Sequence, residues 1–398
     1  MLLVNYNEIG LKKSNRRYFE NKLLDQVFQR TGHYGLKKVK NLHKKYLLTY
    51  DNEDKALREL KNIFGIHKIR LVKTFPLDDR EALIHSLLED LRKSTQNQEK
   101  TITYGVFSKR INKKYELNSI EFSREVGDKI GEAFPHWKVD LTEPDIKVEC
   151  EIEREYLIGG FKCEDGLGGL PYNSGGRALL LLSGGLDSPV AGWLMAKRGL
   201  AVDGIHFHAP PFTSPMLTLK IEKLAKRLAY YQNFQMNLYM VNIAEILKVL
   251  SQKVPKDYNV VMQRRIMFKI ASRIAQENGY QALITGDNLG QVASQTVYNM
   301  AAVNQALDDI PVFRPLIAYE KNETIKIARK IDTFSTSIEP LEDCCTVFVA
   351  KHPVTKANLK SIRIYENRLQ SDDLIQDALN QIFIQKIEFI LPDSSKTE

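Results

Sequence analysis

At 398 residues, 43% hydrophobic and 27% charged, the chain has the composition of an ordinary globular protein and length enough for two or three domains. No apolar run reaches the roughly 18 residues of a membrane span, nothing at the N-terminus resembles a secretory signal, and four cysteines without a CxxC spacing argue against a disulfide framework or a thiolate metal centre, so a reducing, cytoplasmic setting is expected. Net charge is +8, and residues 1–50 hold 11 Lys/Arg against 3 Asp/Glu, so the whole excess sits at one end, as expected of a protein that grips a polyanion there.

The first fifty residues read as a strand (Leu2 to Tyr6), a helix (Asn15 to Thr31) and two strands (Leu36 to Val39, Tyr46 to Tyr50); Phe19, Leu23, Val27 and Phe28 recur at the helical period. A helix over 54–63 and a strand from Gly65 to Val72 follow, in a ferredoxin-like α+β order. Lys12, Lys13, Arg16 and Arg17 gather where the first helix begins. A first domain is placed at 1–55 and a second at 56–165. The second carries a helix over 80–94, a strand from Thr101 to Phe107, a helix over 120–133 capped by Ser119, and strands at Lys138 to Leu141, Lys147 to Ile152 and Glu155 to Phe161. Lys109, Arg110, Lys113 and Lys114 occur without an acid among them and are flanked by Phe107 and Tyr115. Rings that stack on unpaired bases, beside cations that meet phosphate, suit RNA; taken alone, the stretch reads more plainly as a solvated turn. Gly166 to Gly176, with five glycines and one proline, is a linker.

From 177 to 398 strand and helix patterns alternate. The run Ala178 to Leu182 leads into Ser183-Gly184-Gly185-Leu186-Asp187-Ser188, and a helical pattern then continues to Gly199. Strand, glycine turn and helix place backbone N–H groups and the positive end of a helix dipole against a phosphate. The loop lacks the lysine of a Walker A motif and is not a GxGxxG turn. SGGLDS resembles instead the PP-loop of enzymes that split ATP into AMP and pyrophosphate. There Ser183 and Ser188 would donate hydroxyls, Gly184 and Gly185 would let phosphate approach, and Asp187 would be the carboxylate link to Mg2+. Further strands (Val202 to His208, Gln235 to Val241, Ala282 to Thr285, Val312 to Leu316) and helices (215–231, 243–251, 258–277) predict a parallel sheet with helices on both faces. Ligands of such sheets sit at the carboxyl ends of the strands, so SGGLDS, His206-Phe207-His208 and Gly286-Asp287 would meet in one crevice.

VFSKRINKKY, EFSREVGDKIG, KVDLTEPDIKVECEI and GLGGLP resemble a THUMP domain, an RNA-binding module of tRNA-modifying enzymes. With LLLSGGLDSPVAGWLMAKRG, HFHAPPFTS, QRRIMFKIA, TGDNLGQVASQT, VFRPLI and EDCCTVFVAKHPVTK following in that order, the chain is similar along almost its whole length to the ThiI family of tRNA 4-thiouridine synthetases. The resemblance implies that ATP adenylates O4 of the uridine at tRNA position 8 and that a persulfide sulfur then displaces AMP. It also implies tRNA binding as a homodimer and, in many members, sulfur supply to a carrier protein for the thiazole of thiamine. By position it puts ATP contacts at Leu181, Leu182, His206, Phe207, Arg264, Gly286 and Gln295, and RNA contacts on the two basic clusters. A guanidinium at Arg264 suits phosphate and Gly286 permits close backbone approach, although Arg264 and Gln295 taken alone read as surface polar residues on a helix.

Oxide is a poor leaving group, so exchanging a carbonyl oxygen for sulfur needs prior adenylation and a thiolate that delivers the sulfur. Cys344 and Cys345 are the cysteines available after the PP-loop, with Lys351 and His352 close enough in sequence to favour a thiolate. The resemblance favours Cys345 as persulfide carrier, with Cys344 as runner-up or resolving thiol; Cys150 and Cys163 read as structural. Longer relatives end in a rhodanese domain bearing a second working cysteine. Here the residues after Cys345 contain none and read as helices over 357–369 and 371–389 with a tail, which implies a separate cysteine desulfurase as sulfur donor. Two rivals stay open: a PP-loop ligase or amidotransferase that adenylates a small molecule, which leaves the basic end unexplained, and an RNA-binding module with a vestigial ATP site, which leaves the intact SGGLDS unexplained.

Overall fold

The computed structural model describes residues 1–42, 44–95, 102–307, 309–341 and 350–391; Cys344 and Cys345 lie outside these. The chain divides into two compact units, Met1–Arg16 with Val27–Gly168, and Arg17–Gln26 with Gly169–Glu398.

The first unit contains β1 (Leu2–Tyr6), α1 (Arg16–Thr31, its middle counted with the second unit), β2 (Leu36–Leu42), β3 (Lys45–Tyr50), α2 (Glu53–Leu60) and β4 (Ile66–Pro76). It continues with α3 (Arg80–Thr95), β5 (Thr103–Arg110), α4 (Ser119–Ala133), β6 (Lys138–Val139), β7 (Ile146–Ile152) and β8 (Tyr156–Asp165). Among the described residues these strands make one eight-stranded sheet in the order β2-β3-β1-β4-β8-β7-β5-β6. The join is β4, which runs past the expected stop at Val72 to Pro76 and pairs antiparallel with β8 from Lys68↔Asp165 to Pro76↔Tyr156. Helices α3 and α4 bury Leu83, Leu87, Leu91, Phe122, Val126 and Ile130 against β5, β7 and β8. The cap of α4 is Asn118 rather than Ser119: the Asn118 side chain accepts from Ile120 and Glu121 N–H, and the Glu121 carboxylate accepts from Asn118 N–H at 2.7 Å. Both residue types cap well, and the Glu three positions on selects Asn118.

The second unit contains β9 (Arg177–Leu181), α5 (Asp187–Lys197), β10 (Ala201–His208), α6 (Pro215–Tyr231), β11 (Gln235–Asn242), α7 (Ala244–Lys253), α8 (Asn259–Glu277) and β12 (Ala282–Ile284). After these come α9 (Val297–Asn304), β13 (Val312–Phe313), α10 (Lys321–Lys330), α11 (Phe334–Ser337), α12 (Leu359–Leu369), α13 (Asp372–Asn380) and β14 (Phe383–Glu388). The sheet order is β13-β12-β9-β10-β11-β14. It is parallel from β13 to β11, as expected, but β14 closes the edge antiparallel to β11. The expected helix over 371–389 therefore stops at Asn380, and Phe383, Ile384 and Ile387 serve as strand residues, which their β-propensity favours. Two-sided burial explains the unbroken apolar run of β9. Leu179 packs with the core under α7 and α8, while Leu180 faces α5, where a Cβ on Gly192 would stand 2.6 Å from Leu180 Cδ2. Among the described residues no helix is long and apolar enough to cross a membrane.

Candidate active site

The SGGLDS turn lies between β9, a central strand of the parallel sheet, and α5. Ser188 is buried and ties the loop shut: its Oγ accepts from Ser183 N–H at 2.9 Å and lies 3.1 Å from both the Ser183 carbonyl and the Ser183 Oγ. Gly185 N–H donates to Ser183 Oγ at 3.3 Å. A Cβ on Gly184 would meet Leu217 Cδ1 at 3.1 Å. Asp187 opens α5, and its carboxylate is held from two sides, by Lys321 Nζ at 2.9 and 3.1 Å and by Gln291 Nε2 at 3.1 Å.

The third strand end reaches the same loop. A Cβ on Gly286 would lie 2.7 Å from Ser188 N and 2.8 Å from the Asp187 carbonyl carbon, so the backbone after β12 seats directly on the start of α5. Next to it, Asp287 is 4% exposed. Its carboxylate accepts from Arg264 Nη2 at 2.6 Å, Thr285 Oγ1 at 2.9 Å and Arg314 Nε at 3.1 Å. Burial pushes this carboxyl up, but the two guanidiniums and the Thr285 hydroxyl outweigh burial and hold it below the usual carboxylate range. Arg264 is thus no surface residue: Asp287 fixes its guanidinium beside the loop.

At the second strand end, His206 is buried and its Nδ1–H donates to the Leu182 carbonyl at 2.9 Å, while Leu182 N–H donates to the Ile205 carbonyl at 2.8 Å. The side chains of Leu182 and Phe207 are buried, and Leu181 packs against the same core as Phe207, so what these positions can offer a ligand is backbone. His208 is held below the ordinary imidazole value by burial, with His206 adding to it. Gln295 ends a short 3-10 turn (Ala293–Gln295), and its Oε1 is buried with no hydrogen-bond partner among the described residues.

The structure therefore brings together Ser183, Asp187, Ser188 and Gly286, and places Arg264 through Asp287 in the same neighbourhood. Sequence reading missed Lys321, Gln291 and Arg314. The VFRPLI and TGDNLGQVASQT segments contain the last two, but nothing local marks either as reaching Asp287 or Asp187. Among the described residues no group of three or more His, Cys, Asp or Glu side chains forms a metal cage. Asp287 is saturated by its arginines, so Asp187 is the carboxylate left at the loop for a cation that arrives on phosphate, which is how Mg2+ usually binds nucleotide.

Of the basic residues expected to meet RNA, Lys13, Arg17, Lys109, Lys113 and Lys114 are exposed and Lys12 is half-buried. Some of them also bond within the protein. Arg16 donates to the Tyr6 hydroxyl at 2.7 Å, and Arg110 donates to the Tyr115 and Leu117 carbonyls at 3.4 Å. Lys109 and Arg110 belong to β5, not to a turn.

A serine-tied SGGLDS turn feeding a helix from a central parallel strand, with a second strand end seated on it, defines a PP-loop ATP pyrophosphatase domain. The accompanying first unit narrows this to an RNA-directed member. The chain belongs to the ThiI family of tRNA sulfurtransferases. Residues 173–371 match the family described as thiamine biosynthesis protein (ThiI), residues 1–69 the ThiI ferredoxin-like domain and residues 81–158 the THUMP domain. Curated relatives named probable tRNA sulfurtransferase in Alkaliphilus oremlandii (strain OhILAs) and Alkaliphilus metalliredigens (strain QYMF) are 40% and 41% identical, over 97% of this chain and 98% of their own lengths. A crystal structure of a 4-thiouridine synthetase–RNA complex with bound ATP is similar with a TM-score of 0.87 and 32% identity, covering 97% of this chain and 99% of that one.

Lys321 is about half exposed, so its pairing with Asp187 contributes little to stability. Lys321→Met is expected to leave the unfolding midpoint near wild type and to lower the rate of AMP formation from ATP about a hundredfold, the scale on which a preorganised charge at the reacting phosphates acts. Steady-state kinetics alongside thermal melts checks both halves.

Proposed function

We propose that this protein activates O4 of the uridine at position 8 of tRNA with ATP and replaces that oxygen with sulfur, giving 4-thiouridine. The observation that carries the reading is the complete phosphate turn at β9–α5, with Asp187 pinned by Lys321 and Gln291. Uridine O4 attacks the α-phosphorus, and pyrophosphate leaves toward the loop N–H groups and the positive end of α5. Ser183 and Ser188 orient that loop, and Arg264, aimed by Asp287, meets the phosphate charge. The Gln295 Oε1, unpaired among the described residues, and the backbone around Leu181, Leu182, His206 and Phe207 suit the donor and acceptor edge of an adenine. Asp187 would hold Mg2+ carried by the nucleotide, and that ion would offset charge on the departing phosphates.

In the second step the outer sulfur of a persulfide on Cys345 attacks C4, and AMP leaves with the former O4. A second thiol, Cys344 or one from outside, breaks the S–S bond and forms a disulfide that an external reductant reopens. A cysteine desulfurase loads the persulfide, and the same sulfur serves the thiamine sulfur-carrier protein. Lys12, Lys13, Arg17, Lys109, Lys113 and Lys114 contact tRNA phosphates, Arg16 and Arg110 shape their surroundings, and two copies bind tRNA together.

The test uses purified protein, an unmodified tRNA transcript, ATP, Mg2+, cysteine and a desulfurase, with nucleosides read by mass spectrometry. Wild type should yield 4-thiouridine and one AMP per event, and Cys345→Ser should yield none at unchanged tRNA affinity. Normal thiolation by a protein lacking both Cys344 and Cys345 would overturn the sulfur step. ATP turnover on a small acceptor without tRNA would favour the ligase reading.

A further inference from the structure

The whole-chain count puts the basic excess in residues 1–50 and leaves the rest neutral. That neutrality hides a local concentration. Lys351, Lys356, Lys360, Arg363 and Arg368 are all exposed, and none has an ion-pair partner among the described residues. The one acid within the stretch, Glu366, faces the other way. It is bound to Arg265 at 2.9 Å and to Lys269 at 3.0 Å, and so is spent on fixing α12 to α8. Helix α12 is two-sided. Ile362 and Leu369 are buried at 1% and 3% exposure, while Lys360, Arg363 and Arg368 stand on the solvent side with Ile364.

The segment leading into this helix is pinned to the crevice. Asn299 is fully buried and uses its whole amide for the purpose: Nδ2 donates to the Ala293 and Val354 carbonyls at 2.8 Å each, and Oδ1 accepts from Ala357 N–H at 3.0 Å. Thr296 Oγ1 donates to the Thr355 carbonyl at 2.6 Å. Ala293 belongs to the loop whose Gln291 reaches Asp187. Beside that loop the Tyr298 ring is 55% exposed, with Lys356 Nζ 4.8 Å from its centroid. Unpaired cations and an exposed aromatic therefore adjoin the place where a nucleobase must arrive, on backbone that buried hydrogen bonds hold in register with the phosphate turn.

We propose that the solvent face of α12, with Lys351, Lys356 and Tyr298 at its crevice end, is a second RNA-binding surface that carries the substrate's phosphate backbone past the mouth of the active site. Repulsion among five unpaired cations is relieved by a polyanion, and five charges spread along a helix and its leading strap match a line of phosphates better than a single anion. Tyr298 supplies a face on which an unstacked base can rest, which a reaction at a base edge requires. The surface rests on the tRNA-substrate reading and extends it to the catalytic unit.

The experiment measures binding of an unmodified tRNA transcript across a salt series for wild type and for Lys360→Gln/Arg363→Gln/Arg368→Gln. Each lost phosphate contact should flatten the slope of log K against log salt by about 0.7 to 0.9, so the triple variant should lose roughly 2 to 3 units and bind at least tenfold more weakly at low salt. ATP affinity and the melting midpoint should stay unchanged, since all three side chains are exposed. Tyr298→Ala should raise KM for tRNA at constant KM for ATP. A triple variant with wild-type slope and affinity overturns the proposal while leaving the substrate reading intact; a wild type that binds no tRNA sinks both. Unchanged tRNA binding with slowed sulfur loading would assign the face to an acidic protein partner, and that too overturns it.

Discussion

Gly286→Ala is expected to cut ATP turnover by about a hundredfold or more while the protein still folds, because a displacement of about an ångström at a reacting centre has that effect. The added methyl would stand 2.7 to 3.0 Å from the Ser188 nitrogen, the Asp187 carbonyl carbon and the Ser188 Cα. These are backbone atoms at the first turn of a helix and cannot rotate aside as a side-chain tip would. Either the strand end after β12 backs away, taking Asp287 and its arginines with it, or α5 shifts and the Ser183–Ser188 hydrogen bonds open. Both routes misplace groups set to meet phosphate. KM for ATP and kcat should suffer together, and AMP formation from radiolabelled ATP, with a melt as control, checks this. An alanine variant with wild-type kinetics would mean that the seat of β12 on α5 is looser than this geometry has it.

The same position shows how far the amino-acid pattern alone reaches. The β9 run, the glycine turn and the α5 pattern were legible because each is local: apolar residues buried on both sides, glycines where phosphate or backbone must approach, a helix stop at Gly199. Helix α6 was legible end to end, and Ser214 caps it by accepting from Met216 N–H at 3.2 Å. Gly286 was singled out for close approach, but its neighbour is the protein's own phosphate turn. Lys321 was not legible, since its meaning comes from a carboxylate 134 residues away. Arg264 and Arg314 acquire roles through Asp287, at separations of 23 and 27 residues. Nor could local pattern foresee β4 pairing with β8, or β14 closing the catalytic sheet. Those are choices between edges that tertiary packing makes. The charge on α12 escaped for a simpler reason: Asp372, Asp373 and Asp377 on α13 cancel it in any count along the chain, although among the described residues none of them pairs with a cation of α12.

Asp287→Ala should be among the most destabilising single changes in the catalytic unit, at about 3–5 kcal/mol, the usual cost of stripping one partner from a buried ion pair. The side chains of Arg264 and Arg314 are only 14% and 13% exposed, so removing the carboxylate leaves two guanidiniums facing each other with little water to screen them. Arg314→Gln should cost much less, because it leaves Arg264 and Asp287 as a matched pair. It should weaken ATP affinity instead, since it removes the excess positive charge that two arginines and one aspartate hold beside the phosphate turn. The wild-type pH dependence carries the same signature. A carboxyl held below its unfolded value of about 3.9 stabilises the fold above that pH and stops doing so as acid protonates it in the folded state. Urea midpoints of the catalytic unit should thus fall as pH drops below about 4, and more gently in Asp287→Asn, which has no proton to take up. An acid limb identical in the two proteins would show that Asp287 is not the charge its arginines were built around.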